Sequence, residues 1–202
     1  MEFMEAIQRR HSVRAYQQTP VPEEAIADML EAARLAPSGG NGQRHRFGVI
    51  DDPTIIHQLA EAAGNQMWIA SAPLVIACCA DIGWDIGAVP ADDFGLIVNI
   101  TRFGSGLIDY LNAYPDRRAI CKLLENATPL IPTEHIFLAA VAHGLQACFV
   151  GYLDVDHAGR ILGLPDHLVC LYLLPIGYPA DDNVPPDKLI IEEISFRNCW
   201  PG

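Results

Sequence analysis

The chain has 202 residues, of which 50% are hydrophobic, and a formal net charge of -12 at pH 7. This length and composition suit one domain with a sizeable core, and a pI near 4.8 argues against a nucleic-acid partner, which would need a broad basic face. No apolar run approaches the ~18 residues that span a bilayer, and the start Met1-Glu2-Phe3-Met4-Glu5 does not resemble a signal peptide. We therefore expect one cytoplasmic domain over residues 1–202, with neither a membrane nor a nucleic-acid partner.

The first half of the chain is predicted to mix helices and strands. A helix that opens at Pro22 has acids in its first turn and places Ile26, Leu30 and Ala33 on one face. The continuous apolar run over 73–80 is typical of a central strand that is buried on both faces. The predicted elements are helix 2–9, the helix from Pro22 to its stop at 36–40, strand 46–50, helix 53–63 and strand 73–80.

The second half continues the mixed pattern, with weaker signals over residues 81–130. Helical periodicity runs from Phe94 to Leu111 and is interrupted by Gly104-Ser105-Gly106. The chain has neither a Gly-x-Gly-x-x-Gly nor a Walker motif, so a Rossmann or P-loop fold is not expected. The later predicted elements are helix 133–143, a short strand or turn 148–151, helix 155–162, strand 168–176, a surface segment 178–188 and a terminal strand 190–196.

Six cysteines are spread along the chain without a Cys-x-x-Cys pair, and four of them lie among apolar residues. Zinc and iron–sulfur sites favour paired spacings. We therefore expect buried or incidental thiols and no metal centre.

The basic stretch Arg9-Arg10-His11-Ser12-Val13-Arg14 is unusual in so acidic a chain. Two interpretations are open, a solvated turn at a helix end and an anion site. If a helix ends near Arg10, an extended stretch would turn Arg10, Ser12 and Arg14 to the same side, because side chains alternate along it. Forked guanidinium groups in such a clamp would suit phosphate oxygens.

Two further stretches combine glycines with polar groups. Ala36-Pro37-Ser38-Gly39-Gly40-Asn41-Gly42-Gln43 follows a helix, and its glycines would let backbone N–H groups approach a ligand. Gly144-Leu145-Gln146-Ala147-Cys148-Phe149-Val150-Gly151 joins a helix to a core strand. Taken alone, each stretch is better explained as an ordinary helix end.

Taken together and in this order, the three stretches resemble the nitroreductase family of FMN-dependent oxidoreductases. The family's Arg-Arg-x-Ser-x-Arg and Pro-x-x-x-Asn-x-Gln patterns are matched by residues 9–14 and 37–43. Its Leu-Ala-Ala…Gly-Leu…Gly unit is matched over 138–151, and its Leu-Gly-Leu-Pro and Gly-Tyr-Pro patterns at 162–165 and 177–179. The resemblance covers almost the whole chain and is loose only over residues 81–130.

The resemblance implies that the arginine stretch holds FMN. Arg10, Ser12 and Arg14 would reach from the phosphate towards the pyrimidine edge of the ring, with His11 contributing through its backbone or ring. A cation at that edge stabilises the reduced, anionic flavin. Which arginine takes which end stays open.

Three other segments would complete the implied site. Backbone groups of Val150 and Gly151 would face flavin N5, and Lys188 matches a basic residue near the C-terminus where the family more often has arginine. Arg197 is the alternative to Lys188. The resemblance implies no catalytic side chain and no metal ligand. The segment that would line the ring or ribityl chain, often from the partner subunit, comprises Pro37, Ser38, Gly39 and Asn41.

The implied fold is α+β, a nitroreductase-like mixed α/β sandwich with a mostly antiparallel central sheet flanked by helices. It would assemble as a homodimer with FMN at the interface. Residues 81–130 would form a variable substrate cover, in which Phe103, Tyr110 and Tyr114 either stack on the flavin or pack as ordinary helix residues.

The implied activity is that of an FMN-dependent oxidoreductase. Hydride would pass from NAD(P)H via flavin N5 to nitro, quinone or similar acceptors by a ping-pong mechanism. The alternatives are a related flavin enzyme of reductive dehalogenation or flavin-consuming chemistry, and an FMN storage or sensor protein without useful turnover.

Overall fold

The computed structural model describes residues 1–181 and 185–200. Its strands are β1 (His45–Ile50), β2 (Leu74–Asp81), β3 (Gln146–Ala147) and β4 (Leu168–Gly177). Its α-helices are α1 (Phe3–Arg9), α2 (Glu23–Arg34), α3 (Pro53–Ala62), α4 (Phe94–Phe103), α5 (Ser105–Ala113), α6 (Arg117–Glu125), α7 (Leu130–Ala142), α8 (Val155–Ile161) and α9 (Ile191–Ile194).

The strands form one antiparallel sheet in the order β1-β2-β4-β3. Every residue of β2 from Leu74 to Ala80 is buried, as its continuous apolar run predicts. The register shifts between Cys78 and Cys79, so that β4 carries one extra residue at this point. The predicted α+β class with a mostly antiparallel central sheet is confirmed.

Helices cover both faces of the sheet. On one face, α2 and α7 pack against alternate residues of the two central strands, including Ile76 and Leu174. On the other face, α3 and α8 pack against the intervening residues, including Val75 and Leu173. Because side chains alternate along β2 and β4, the two strands contribute residues to a separate apolar layer on each face of the sheet.

The prediction for the apolar face of α2 is confirmed at Ala33, and its other two positions are each off by one residue. Pro22 is the residue before the helix, and the buried stripe consists of Ala25, Met29 and Ala33. Ile26 is only half-buried at the edge of the core. The buried residues are spaced four apart and so lie on one face of α2, which leaves Ile26 one position to the side of that face.

The predicted terminal strand over 190–196 is wrong, because Ile191–Ile194 form the short helix α9. The Ile190 N–H donates to Oε2 of Glu193 at 3.2 Å, which closes a capping turn in place of a strand ladder. The predicted surface segment 178–188 includes residues 182–184, which lie outside the described residues.

The segment between β2 and α7 carries three helices. The predicted periodic run is confirmed as α4 and α5, which break at Gly104 with φ of 85°. Helix α6 was not among the predicted elements. Arg117 at its start fixes this segment, donating to the Asp85 carboxylate and to the carbonyl oxygens of Leu111 and Asn112 at 2.6 and 2.9 Å.

Five of the six cysteines are buried, and all six are free thiols, as the prediction of buried or incidental thiols requires. Burial raises the pKa of Cys78 to about 12. Residues 1–181 and 185–200 contain no group of three or more His, Cys, Asp or Glu side chains placed to hold a metal ion. Within the same ranges, no helix combines the length and apolarity that crossing a membrane requires.

Candidate functional site

The basic stretch is an extended segment that begins where α1 ends. Arg10 follows the last helical residue with φ of -63° and ψ of 120°, so the chain leaves the helix at this point. Val13 is fully buried, whereas Ser12 and Arg14 are exposed and the side chain of Arg10 retains 24% exposure. The alternation expected for a clamp of Arg10, Ser12 and Arg14 is therefore present in the backbone.

This extended segment is held against the sheet. Ser12 forms a parallel bridge with Ala147 of β3, and the Val13 N–H donates to the Ala147 carbonyl at 3.1 Å. The buried Tyr16 hydroxyl lies 2.7 Å from the Val13 carbonyl and 3.1 Å from the Pro175 carbonyl. Burial raises the pKa of Tyr16, so its hydroxyl remains a neutral donor. The segment is thus a fixed structure rather than a loose solvated turn.

The two arginines lie over different aromatic rings. The guanidinium carbon of Arg10 is 5.2 Å from the centre of the Phe137 ring, and its Nε is 3.8 Å from Oε1 of Glu134. The guanidinium carbon of Arg14 is 5.8 Å from the centre of the Trp68 ring. In the described part of the chain, Arg14 has no carboxylate within ion-pair distance. Its charge is therefore available to an anionic ligand.

Cys148 is a buried thiol behind this segment. Burial raises its pKa, and the charge of Arg14 and the nearby Ser12 hydroxyl act in the opposite direction. The thiol therefore belongs to the same cluster as the predicted clamp, although the sequence indicated only that it lies within a matched motif. Trp68, Phe137 and Glu134 carried no sequence signal for the site, because only the fold brings them to the arginines.

The histidine of the stretch is turned inward. Its Nδ1 is 2.8 Å from the Arg9 carbonyl, which makes Nδ1 the donor of this hydrogen bond. Its Nε2 is buried and has no hydrogen-bond partner among the described residues. A buried nitrogen of this kind usually has a partner, so His11 marks a position that a ligand or another subunit could satisfy.

Segment 150–151 meets the middle of the sheet. Val150 is buried and exchanges two backbone hydrogen bonds with Leu173, at 2.9 and 3.1 Å. Gly151 is exposed, and a Cβ atom there would lie 3.3 Å from Cε1 of Tyr172. The backbone at Gly151 is therefore rigidly placed and open on its outer side.

The loop that carries the predicted residues 37–41 is tightly turned. Its backbone has positive φ at Gly40, Asn41 and Gln43, and the Gln43 N–H donates to the Ser38 hydroxyl at 3.1 Å. Pro37, Gly39 and Asn41 are exposed, and Ser38 is half-buried. The hydrogen bonds that this loop makes to described residues close within residues 38–46. No such bond joins the loop to residues 10–14 of the same chain.

Lys188 also stands apart from the clamp. It is exposed, as is every residue of the segment 185–200, and it takes part in no ion pair among the described residues. Arg197, the alternative, is equally exposed. Within the chain, the structure joins residues 10–14 to the neighbourhood of 148–151 and leaves loop 37–41 and Lys188 separate.

The fold and this segment define the class of protein. It is an α+β protein with one antiparallel sheet between two layers of helices, and it presents arginines on an extended segment beside the sheet edge. The family model described as the nitroreductase family matches residues 7–178. An NADH dehydrogenase of Thermus thermophilus is 29% identical over 194 residues, covering 92% of this chain and 91% of that protein. An FMN reductase of Bacillus subtilis is 27% identical over 202 residues, covering 98% of this chain and 74% of that protein.

The fold comparison agrees with the sequence comparison. A solved NADPH:FMN oxidoreductase of Vibrio harveyi superposes with a TM-score of 0.73 at 20% identity, covering 99% of this chain and 78% of that chain. The chain belongs to the nitroreductase family, and it is accordingly an oxidoreductase. The resemblance predicted from its motifs is confirmed.

Proposed function

We propose that the protein is an FMN-dependent oxidoreductase that passes hydride from NAD(P)H to a nitro compound, a quinone or a similar small acceptor in two alternating half-reactions. The observation that carries the proposal is the fixed, extended segment that presents Arg10, Ser12 and Arg14 beside residue 147 of β3 and the residues that follow it to Gly151. The names of the FMN reductase and NADPH:FMN oxidoreductase relatives support the choice of cofactor and donor.

The residues present fit FMN. Two guanidinium groups and a hydroxyl supply donors for a phosphate or for the carbonyl groups of the ring. The exposed backbone at Gly151 leaves room for a flat ring system to approach, and His11 Nε2 is a buried polar atom without a partner in the described residues. When bound, FMN supplies the hydride acceptor and hydride donor of the two half-reactions.

The residues of the protein would bind the cofactor and stabilise its charge. Arg10 and Arg14 would supply positive charge next to the ligand, and their aromatic supports would limit the arrangements that each guanidinium can adopt. Backbone groups of Val150 and Gly151 would orient the ring. No side chain needs to act as a nucleophile in this chemistry, and we assign none.

The separate loop 37–41 supports a site shared between two subunits. Because its hydrogen bonds do not reach residues 10–14 of its own chain, Pro37, Ser38, Gly39 and Asn41 would contact the FMN held by the other subunit. Lys188 would reach the phosphate in the same way. We therefore propose a homodimer with an FMN site at each end of its interface.

The C-terminal arm, which we define as residues 185–200, supports the same dimer. Its large apolar side chains are between 57% and 71% exposed, and its hydrogen bonds among the described residues stay within the arm. An apolar segment with so little contact to its own chain gains most by packing on another molecule. These side chains are Leu189, Ile190, Ile191, Ile194, Phe196 and Trp200.

Helices α4 and α5 would cover the substrate. No residue of α4 is buried. Phe103 and Tyr110 are exposed on these helices, and Tyr114 is exposed directly after α5. The exposure favours a role for these aromatic residues outside the core of their own subunit. They would supply apolar contacts to a flat acceptor.

Spectroscopy of the purified protein tests the proposal. We expect a yellow protein, or one that becomes yellow when FMN is added, whose visible absorption bleaches when NADH or NADPH is added without oxygen. Addition of a quinone or a nitroaromatic compound should then restore the colour. A protein that takes up no FMN would overturn the proposal, and FMN binding without reduction by either nucleotide would favour storage or another electron donor.

A further inference from the structure

We propose that Gln146 is a positioning residue for the flavin site, whose side-chain amide holds the chain at Arg9–His11 so that Arg10 and Ser12 face the cofactor. The inference rests on the proposed function but adds a residue that the motifs left without a role. Gln146 opens β3, pairs in register with Gly177 of β4 and is only 7% exposed.

The Gln146 amide makes two hydrogen bonds to the backbone of the arginine segment. Its Nε2 donates to the Arg9 carbonyl at 2.9 Å, and its Oε1 accepts from the His11 N–H at 3.3 Å. The two partners differ in kind, a carbonyl and an N–H, so they fix which end of the amide is nitrogen and which is oxygen. Both hydrogen-bonding ends of a buried side chain are thereby used on one short stretch of chain.

These hydrogen bonds satisfy backbone groups at the end of α1. The last carbonyl groups of a helix have no partner within the helix, and Arg9 is the last residue of α1. Two residues beyond His11, the Val13 N–H donates to the backbone carbonyl of Ala147. The side chain of Gln146 therefore holds the start of the segment, and the backbone of Ala147 holds the residues that follow.

Arg10 lies between the two groups that Gln146 holds. Its φ and ψ decide where the guanidinium goes, and both neighbouring peptide groups are fixed by the same amide. Without the amide, the Arg9 carbonyl would keep only its hydrogen bond from His11 Nδ1, and the His11 N–H would lose its side-chain partner in a partly buried position. They would regain partners most easily by turning towards water, which would move Arg10 away from the ring of Phe137.

Binding of FMN to three variants tests the inference. Gln146→Leu keeps a buried side chain of similar size and removes both hydrogen bonds, and we expect FMN to bind about tenfold more weakly than to the wild type. Ile120→Val is the control for lost stability, because Ile120 of α6 is buried in a separate cluster with Ile86 and Ile108. It should leave FMN affinity unchanged at a temperature where all variants are folded.

Gln146→Glu separates positioning from general destabilisation. An ionised carboxylate can accept from the His11 N–H but cannot donate to the Arg9 carbonyl, whereas a protonated carboxyl group can do both. Because position 146 is buried, the carboxyl group should have a raised pKa and take up a proton between pH 8 and pH 5. We therefore expect its FMN affinity, relative to the wild type at the same pH, to recover by about fivefold or more over this range. Gln146→Leu has no ionisable group and should show no recovery.

The outcomes distinguish this inference from the proposed function. If the wild type binds FMN and Gln146→Leu binds it within twofold of the wild type, the inference is overturned and the proposed function stands. If Gln146→Leu does not fold, an affinity ratio for Gln146→Glu that stays constant with pH overturns the inference instead. A wild type that binds no FMN overturns both.

Discussion

The guanidinium group of Arg10 lies over the ring of Phe137, with the guanidinium carbon 5.2 Å from the ring centre. Phe137 is fully buried, and its ring is 6.2 Å from that of Phe149, in the segment after β3 that leads to Gly151. The arginine therefore rests on a rigid base that connects it to the other half of the site. A side chain held in this way loses less entropy when a ligand binds.

Removing either arginine of the clamp should weaken cofactor binding. We expect Arg10→Ala and Arg14→Ala each to weaken FMN binding by about 1–3 kcal/mol, as for lost hydrogen bonds to charged groups. Quenching of flavin fluorescence during titration measures the effect. Arg34→Ala is the matched control, since Arg34 is an exposed arginine of α2 that pairs with Glu31. Unchanged affinity in both clamp variants would remove the clamp from the site.

The close approach of the chain at Gly177 should make this position sensitive to one added methyl group. A Cβ atom there would lie 2.7 Å from Cδ of Pro73 and 3.1 Å from the Tyr16 ring, and neither ring can move freely. We expect Gly177→Ala to lower the free energy of unfolding by about 1–3 kcal/mol, measured by urea denaturation.

Gly159→Ala provides the opposite control for that experiment. Gly159 lies within α8, and a Cβ atom there would have no neighbour within 4 Å. Because alanine favours a helix, this variant should gain about 0.5–1 kcal/mol. Equal effects of the two substitutions would show that packing at Gly177 is not the determining factor.

Polar substitutions in the C-terminal arm should weaken the proposed dimer. Ile191 and Ile194 are 71% and 66% exposed in the single chain, and each would bury most of its side chain on a partner. We expect the double variant Ile191→Ser, Ile194→Ser to raise the dimer dissociation constant by at least about tenfold, measured by analytical ultracentrifugation. Leu123→Ser on α6 changes an equally exposed leucine outside the arm and should have no effect. Identical sedimentation of all three proteins would argue against an arm-mediated dimer.

Much of the fold could be predicted because it depends on local patterns. The apolar run of β2 is long enough to require burial on both faces, and Asp52 before Pro53 caps α3 by accepting from two backbone N–H groups. Helix α9 was missed because Ile190 to Phe196 has the composition of a strand but no neighbouring strand to pair with. From the sequence, its isoleucines do not indicate the surface that would pack against them.

The candidate site was predictable only in part, for a similar reason. The clamp follows from alternation along six consecutive residues, so Arg10, Ser12 and Arg14 could be read from the sequence. Gln146 and Phe137 act on the same segment from positions more than 120 residues further along the chain. No periodicity or spacing connects such positions, and only the packing of α7 and β3 against the end of α1 brings them together.

The pair of Asp85 and Arg117 should make the stability of the protein sensitive to acid. The hydrogen bond from Arg117 is the main cause that holds the pKa of Asp85 below its ordinary value of 3.8. A carboxylate with a lowered pKa contributes stability above its unfolded pKa and loses it as the pH falls through the folded pKa. We therefore expect the wild type to lose thermal stability as the pH falls below about 4, partly through this pair.

Asp85→Asn isolates the contribution of that carboxylate. The variant should be less stable than the wild type at pH 6, and the difference in Tm should shrink as the pH falls towards 2, because the wild type then loses the same charge. Asp109→Asn is the control, since Asp109 is an exposed acid of α5 that forms no ion pair with a described residue. Calorimetry at several pH values measures these differences. A Tm difference for Asp85→Asn that is independent of pH would show that the charge of Asp85 does not contribute, and would contradict the prediction.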